Sequence, residues 1–133
     1  VTSLTLHATG PVDPAEVWDR YLHPSRWSGW SPQIKRVEAS ADRIEQGVTG
    51  RVYDPIGTSV PFVVDEVSEV QRRWVWQVVV GPTRLGLVHW VSPAPDGGTT
   101  AGLRISGFGP LVVGYAPLAL LALKRLVTVR TAS

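Results

Sequence analysis

Leu85, Leu87, His89 and Val91 alternate along one face of a short extended stretch, so an imidazole shares its side of the chain with three aliphatic residues. With an ordinary pKa near 6.5, such a group is a usable general acid or base. It is equally a core histidine bonded to a backbone carbonyl or a neighbouring side chain, and the residues alone leave both readings open. His7 falls on the polar face of its segment and His23 in a loop, so the histidines lack the spacing of metal ligands. The absence of Cys excludes thiol nucleophiles, disulfides and thiolate-bound metal. No Ser-His-Asp spacing, phosphate loop or close carboxylate pair occurs, and neither a metal nor a cofactor is expected.

Trp74, Trp76, Val78 and Val80 form a second apolar face. Indoles there can stack on a planar ligand, or they can fill the space themselves. Leu103 and Ile105 point the same way if Arg104, in parity with Thr100 and Ser106, points to solvent. Gln77 lies opposite the two tryptophans and takes the solvent side. Asp65 shares parity with Val63 and Val67, and a bulge nearby would reverse it. Tyr53 is another polar group beside an apolar run. Tyr115 is the best companion for His89, because its ring lies on an apolar helical stripe and its hydroxyl could orient a ligand oxygen.

The element that must face these residues is Pro110 to Arg130. Leu111, Tyr115, Leu118, Ala122, Leu126 and Val129 recur at helical steps, with Pro110 suited to the first turn. Lys124, Arg125 and Arg130 stand where the helix dipole favours cations. Pro117 implies a kink, or a main helix that begins there. The uninterrupted apolar run stops at 13 residues, Leu111 to Leu123, against the roughly 20 of a spanning helix, so no membrane span is expected.

Before it, Ser3 to Thr9 alternates as a strand. Asp13-Pro14-Ala15-Glu16 then reads as a cap, first position and capping-box acid, opening a short helix with Val17, Trp18, Tyr21 and Leu22 on its apolar side. Another helical turn fits Ser25 to Trp27. Strands follow at Ile34–Ala39, Gly47–Asp54, Ser59–Val67, Trp74–Val80, Leu85–Val91 and Ala101–Phe108, with Asp96-Gly97-Gly98 a hairpin signal. A long apolar helix after such strands buries itself on their sheet, and a space between helix and sheet is where function is expected.

The 133 residues suit one domain, 1–133, and 44% hydrophobic with 18% charged residues describes a globular chain with a substantial core. Net charge is only +2, with acids interspersed among the bases, so no nucleic-acid footprint is visible. No basic-then-apolar leader opens the sequence, which makes a cytoplasmic location the expectation.

The whole order resembles the START/Bet v 1-like (SRPBCC) superfamily, and within it the polyketide cyclase/dehydrase-like proteins. The resemblance rests on Glu16-Val17-Trp18, Trp27-Ser28-Gly29-Trp30-Ser31-Pro32, Gly50, Trp74-Val75-Trp76, Gly97-Gly98-Thr99, Gly107-Phe108-Gly109-Pro110-Leu111 and the terminal helix. It implies an α+β helix-grip fold: a seven-stranded antiparallel sheet around the C-terminal helix, two short helices after the first strand, and a deep hydrophobic cavity. It also makes Trp27 and Trp30 a lid over the cavity mouth, unless they anchor their loop to the sheet. The resemblance carries no universal catalytic motif.

The expected function is binding of a small apolar, aromatic or polycyclic ligand by Trp74, Trp76, Leu87, His89, Leu103, Ile105, Tyr115 and Leu118. The alternative is an aromatase/cyclase or dehydratase acting on a polyketide-like substrate, with His89 moving protons. A third reading is a module that homodimerises through a second helix face of Val112, Ala116, Ala119, Leu120, Leu123 and Val127.

Overall fold

The computed structural model describes residues 2–129; Arg130, expected at the helix end, lies outside them. Strand β1 (Thr2–Gly10) leads through Asp13 into helix α1 (Pro14–Leu22), followed by a 3-10 segment (Pro24–Gly29). Strands β2 (Arg36–Ala39), β3 (Thr49–Tyr53), β4 (Ser59–Ser68), β5 (Arg73–Val80), β6 (Thr83–Pro93) and β7 (Thr99–Gly107) precede helix α2 (Gly109–Thr128). They form one seven-stranded sheet in the order β1-β7-β6-β5-β4-β3-β2, every pair antiparallel. The expected helix-grip architecture is the observed one.

Asp13 caps α1 through its side chain, which accepts from the Ala15 amide at 3.1 Å. Glu16 does not close a capping box. It accepts from Arg20 Nε at 3.1 Å and Arg26 Nη2 at 2.8 Å, and these bonds, Arg26's first, hold its carboxyl below the usual range. Arg20 is itself buried and donates to the Leu126 carbonyl at 2.7 Å, satisfying an acceptor near the C-terminal end of α2. The first helix is thus tied to the last by a charge-assisted bond.

On the sheet, a bulge between Val64 and Glu66 leaves Asp65 as the extra residue. It returns Val67 to the inner side opposite Trp74, while Asp65 stays on the outer side and accepts from Gln77 Nε2 at 2.8 Å. Arg104 is exposed, as its parity requires. Gly50 is needed where β2 crosses β3 closely: a Cβ there would lie 2.0 Å from the Glu38 carbonyl oxygen. Gly97 turns the last hairpin at φ +96.

Helix α2 runs unbroken through Pro117, which sits on its exposed side. Its rotation differs from expectation. Val112, Ala119, Ala122, Leu123, Leu126 and Val127 are buried, whereas Leu118 is 45% exposed. The proposed dimer face is therefore largely core, and the exposed large apolar residues of this region are Phe108, Val113, Leu118 and Leu121. A helix apolar nearly all round offers periodicity little to act on, and packing decided the rotation. By length and composition α2 could cross a bilayer, yet here it is the core helix, resting on β1 and β7. Because it sits toward that edge, a gap opens between α2 and the strands β3 to β6.

Candidate functional site

That gap is divided in two. The outer part is a cavity of about 210 Å³, open to solvent. Val52 from β3, Val60 from β4, Val78 and Val80 from β5, and Leu85 and Leu87 from β6 form its sheet side. Leu111, Tyr115 and Leu118, one helical stripe, form the other. Asp54, Thr58 and Ser59 add polar groups to the wall.

The inner part is a chamber of only about 20 Å³, walled by Trp27, Trp30, Ser31, Trp74, Trp76 and His89 together with Leu103 and small residues of α2. Gln33, Ile34 and Tyr115 belong to both walls and separate the two spaces. Gln33 Nε2 donates to the Tyr115 hydroxyl at 3.0 Å, and burial holds the Tyr115 pKa above its ordinary value.

Aromatic rings have taken the space the inner chamber would otherwise offer. His89 stacks on Trp74 with centroids 4.7 Å apart and planes at 13°, and Trp74 stacks on Trp76 at 5.2 Å. Trp27 sits against Trp74, Trp76 and Phe62, at 5.5, 5.1 and 5.7 Å, and donates its indole hydrogen to the Tyr21 carbonyl at 3.0 Å. Trp30 meets the Tyr21 ring edge-on at 5.5 Å. Trp27 and Trp30 are thus buried anchors of their loop, not a cover at the cavity mouth.

His89 points inward, as its alternation requires, and is buried. Its Nδ1 lies 3.1 Å from the Tyr21 hydroxyl, and Nε2 has no partner among the described residues. Desolvation pushes its pKa down to about 3, and burial raises that of Tyr21, so both are neutral near pH 7. The imidazole is therefore suited to hydrogen bonding more than to carrying a proton at its usual pKa.

The other expected site residues divide between the two spaces. Leu87 and Leu118 line the outer cavity, Tyr115 both, and Trp74, Trp76, His89 and Leu103 the inner chamber. Ile105 lines neither: it is fully buried on β7, the strand on which α2 rests. Sequence reasoning passed over Gln33, Ser31, Val52 and Val60. The alternation of β3 and β4 could have offered the two valines, but nothing local marks Gln33 or Ser31. Among the described residues, no group of three or more His, Cys, Asp or Glu could hold a metal ion.

Residues 2–129 match the family described as polyketide cyclase / dehydrase and lipid transport. No curated protein matches the chain. Among solved structures, a Nitrosospira multiformis protein is similar at TM-score 0.77 and 16% identity, over 95% of this chain and 94% of its own. The protein XoxI from Bacillus cereus has TM-score 0.76 at 14% identity, over 96% and 94%. Ara h 8.0201 has 0.70 at 14%, over 95% and 97%. At such identities the structures speak for the fold, and the family follows from the match along the chain. This chain belongs to the polyketide cyclase/dehydrase and lipid transport family, within the START/Bet v 1-like superfamily that its residues resemble.

Proposed function

We propose that this protein binds a small, largely apolar, aromatic or polycyclic molecule in the outer cavity between sheet and helix. The observation that carries the reading is the wall itself: aliphatic side chains from four strands and one helix face an open space of about 210 Å³. Family and fold are consistent with hydrophobic-ligand binding. The volume suits a ligand of two or three rings, below the size of common drug-sized pockets. Affinity would come chiefly from buried apolar area, about 25 cal/mol per Å² before the costs of association.

Binding is favoured over cyclisation or dehydration chemistry by the state of His89, a neutral imidazole already engaged by Tyr21. A Val60→Trp substitution tests the reading, because Val60 is a partly buried wall residue and an indole there would occupy the cavity. The apolar fluorophore N-phenyl-1-naphthylamine should bind the wild type saturably and bind the variant at least about tenfold more weakly, with the urea midpoint little changed. Unaltered fluorophore binding by a folded Val60→Trp variant would remove the cavity from consideration.

A further inference from the structure

The inner chamber gathers polar atoms that have no partners among the described residues. Trp30 Nε1, Ser31 Oγ, Trp74 Nε1, Trp76 Nε1 and His89 Nε2 belong to residues more than nine-tenths buried, all on its wall, and none is hydrogen-bonded among the described residues. Gln33 Oε1, on the shared wall, is likewise unpartnered. Folded proteins leave few such groups, and a cluster of them around one space calls for an occupant. Trp18 Nε1 is also unpartnered, but it lies away from this wall.

The cluster is weighted toward donors, although the Ser31 hydroxyl can donate or accept and Gln33 Oε1, on the shared wall, accepts. Indole N–H groups only donate. His89 joins them by elimination of its other tautomer. The buried Tyr21 hydroxyl has His89 Nδ1 as its hydrogen-bond partner, so a phenol that donates there satisfies its own hydrogen and leaves the ring proton on Nε2. The reverse arrangement would strand the phenolic hydrogen. The indole N–H groups of Trp30, Trp74 and Trp76, and Nε2 of His89, therefore lack an acceptor. At about 20 Å³ it admits one water-sized atom and no ring. Among the described residues no cationic side chain stands on its wall, so a charged carboxylate would be desolvated there without compensation, and a neutral acceptor fits better.

We propose that the inner chamber is a carbonyl socket, taking the oxygen of a neutral ketone or quinone ligand whose ring body lies in the outer cavity. The inference rests on the cavity-binding reading above and adds the ligand's chemical class. Gln33 and Tyr115 stand between the two spaces, and opening their one hydrogen bond lets the oxygen through. The Tyr115 hydroxyl, which accepts from Gln33, keeps its own hydrogen available to the same oxygen.

Fluorene and 9-fluorenone, similar in ring body and differing by the carbonyl, separate the two ideas. Displacement of N-phenyl-1-naphthylamine should show fluorenone binding at least about tenfold tighter than fluorene, the value of filling one otherwise unpaired set of donors. Trp76→Phe, which keeps a ring and removes a donor, should shrink that ratio. The infrared carbonyl band of bound fluorenone should lie below its position in an alkane solvent. Equal affinities with an alkane-like band would overturn the socket, leaving water as the chamber's occupant and the cavity reading intact. Binding of neither compound would overturn the cavity reading and the socket together.

Discussion

Lowering the pH from about 8 to about 5 should cost the folded protein about 2 kcal/mol through His89 alone. The folded-state pKa of His89 is depressed to about 3 by burial, whereas the unfolded chain titrates near 6.5. Stability from this group is complete above the unfolded pKa. It falls as pH drops through about 6.5, by about 1.4 kcal/mol per unit, because the unfolded state takes a proton that the folded state refuses. The loss continues toward pH 3, where the folded imidazole is protonated as well. Glu16, Glu38 and Asp54 have lowered pKa values, so their contributions are present above the ordinary carboxylate range and do not interfere down to pH 5. Urea unfolding at steps between pH 8 and 5 should give a steeper decline for the wild type than for His89→Phe. Parallel declines would mean that His89 is protonated in the folded protein, and the neutral donor assigned to Nε2 would be wrong.

The position of His89 was legible because β6 keeps strict alternation from Leu85 to Val91, with no bulge to reverse it. The same logic placed Trp74 and Trp76 inward and Arg104 outward. It was ambiguous only at Asp65, where Val63 and Val67 are both apolar and only the pairing locates the extra residue. The rotation of α2 was not legible for the opposite reason: its sequence is apolar on nearly every side, so no polar stripe marks the outward face. Ala122 and Leu126 of the expected stripe are buried, but Ala119 is buried where Leu118 was expected to be.

Two features depend on distant parts of the chain and have no local signature. Arg20 reaches a carbonyl 106 residues away, and from α1 alone it looks like a flank residue outside the apolar stripe. Gln33 meets Tyr115 across the gap from a loop of ordinary composition. The division of the cavity is of the same kind. Whether six tryptophans fill a space or line it depends on how their rings pack, which periodicity does not contain.

Trp27→Ala should destabilise the protein by about 3–5 kcal/mol, the cost of deleting a large ring from a packed core. Trp27 is 1% exposed and is the ring on which Phe62, Trp74 and Trp76 converge, and its indole satisfies the Tyr21 carbonyl. The substitution therefore combines a cavity, lost ring contacts and an unpaired buried acceptor. It also removes the attachment of the 3-10 segment to the sheet. Trp90, partly buried on the opposite face of β6 and edge-on to His7, makes a contrasting position where the same truncation should cost less than half as much. Chemical denaturation monitored by far-UV circular dichroism measures both, without depending on the deleted fluorophores. A loss below about 1 kcal/mol at Trp27 would mean that the aromatic cluster is not the structural keystone its packing implies.

The proposed apolar ligand enters between the sheet and α2. Methyl-resolved NMR of valine- and leucine-labelled protein, titrated with fluorene, tests it at the residues concerned. Saturable shifts are expected at Val52, Val60, Val78, Leu87, Leu111 and Leu118, all on the outer cavity wall. Shifts confined to exposed Val70, Val113 and Leu121, with the cavity methyls unmoved, would contradict it and place ligand binding on the surface.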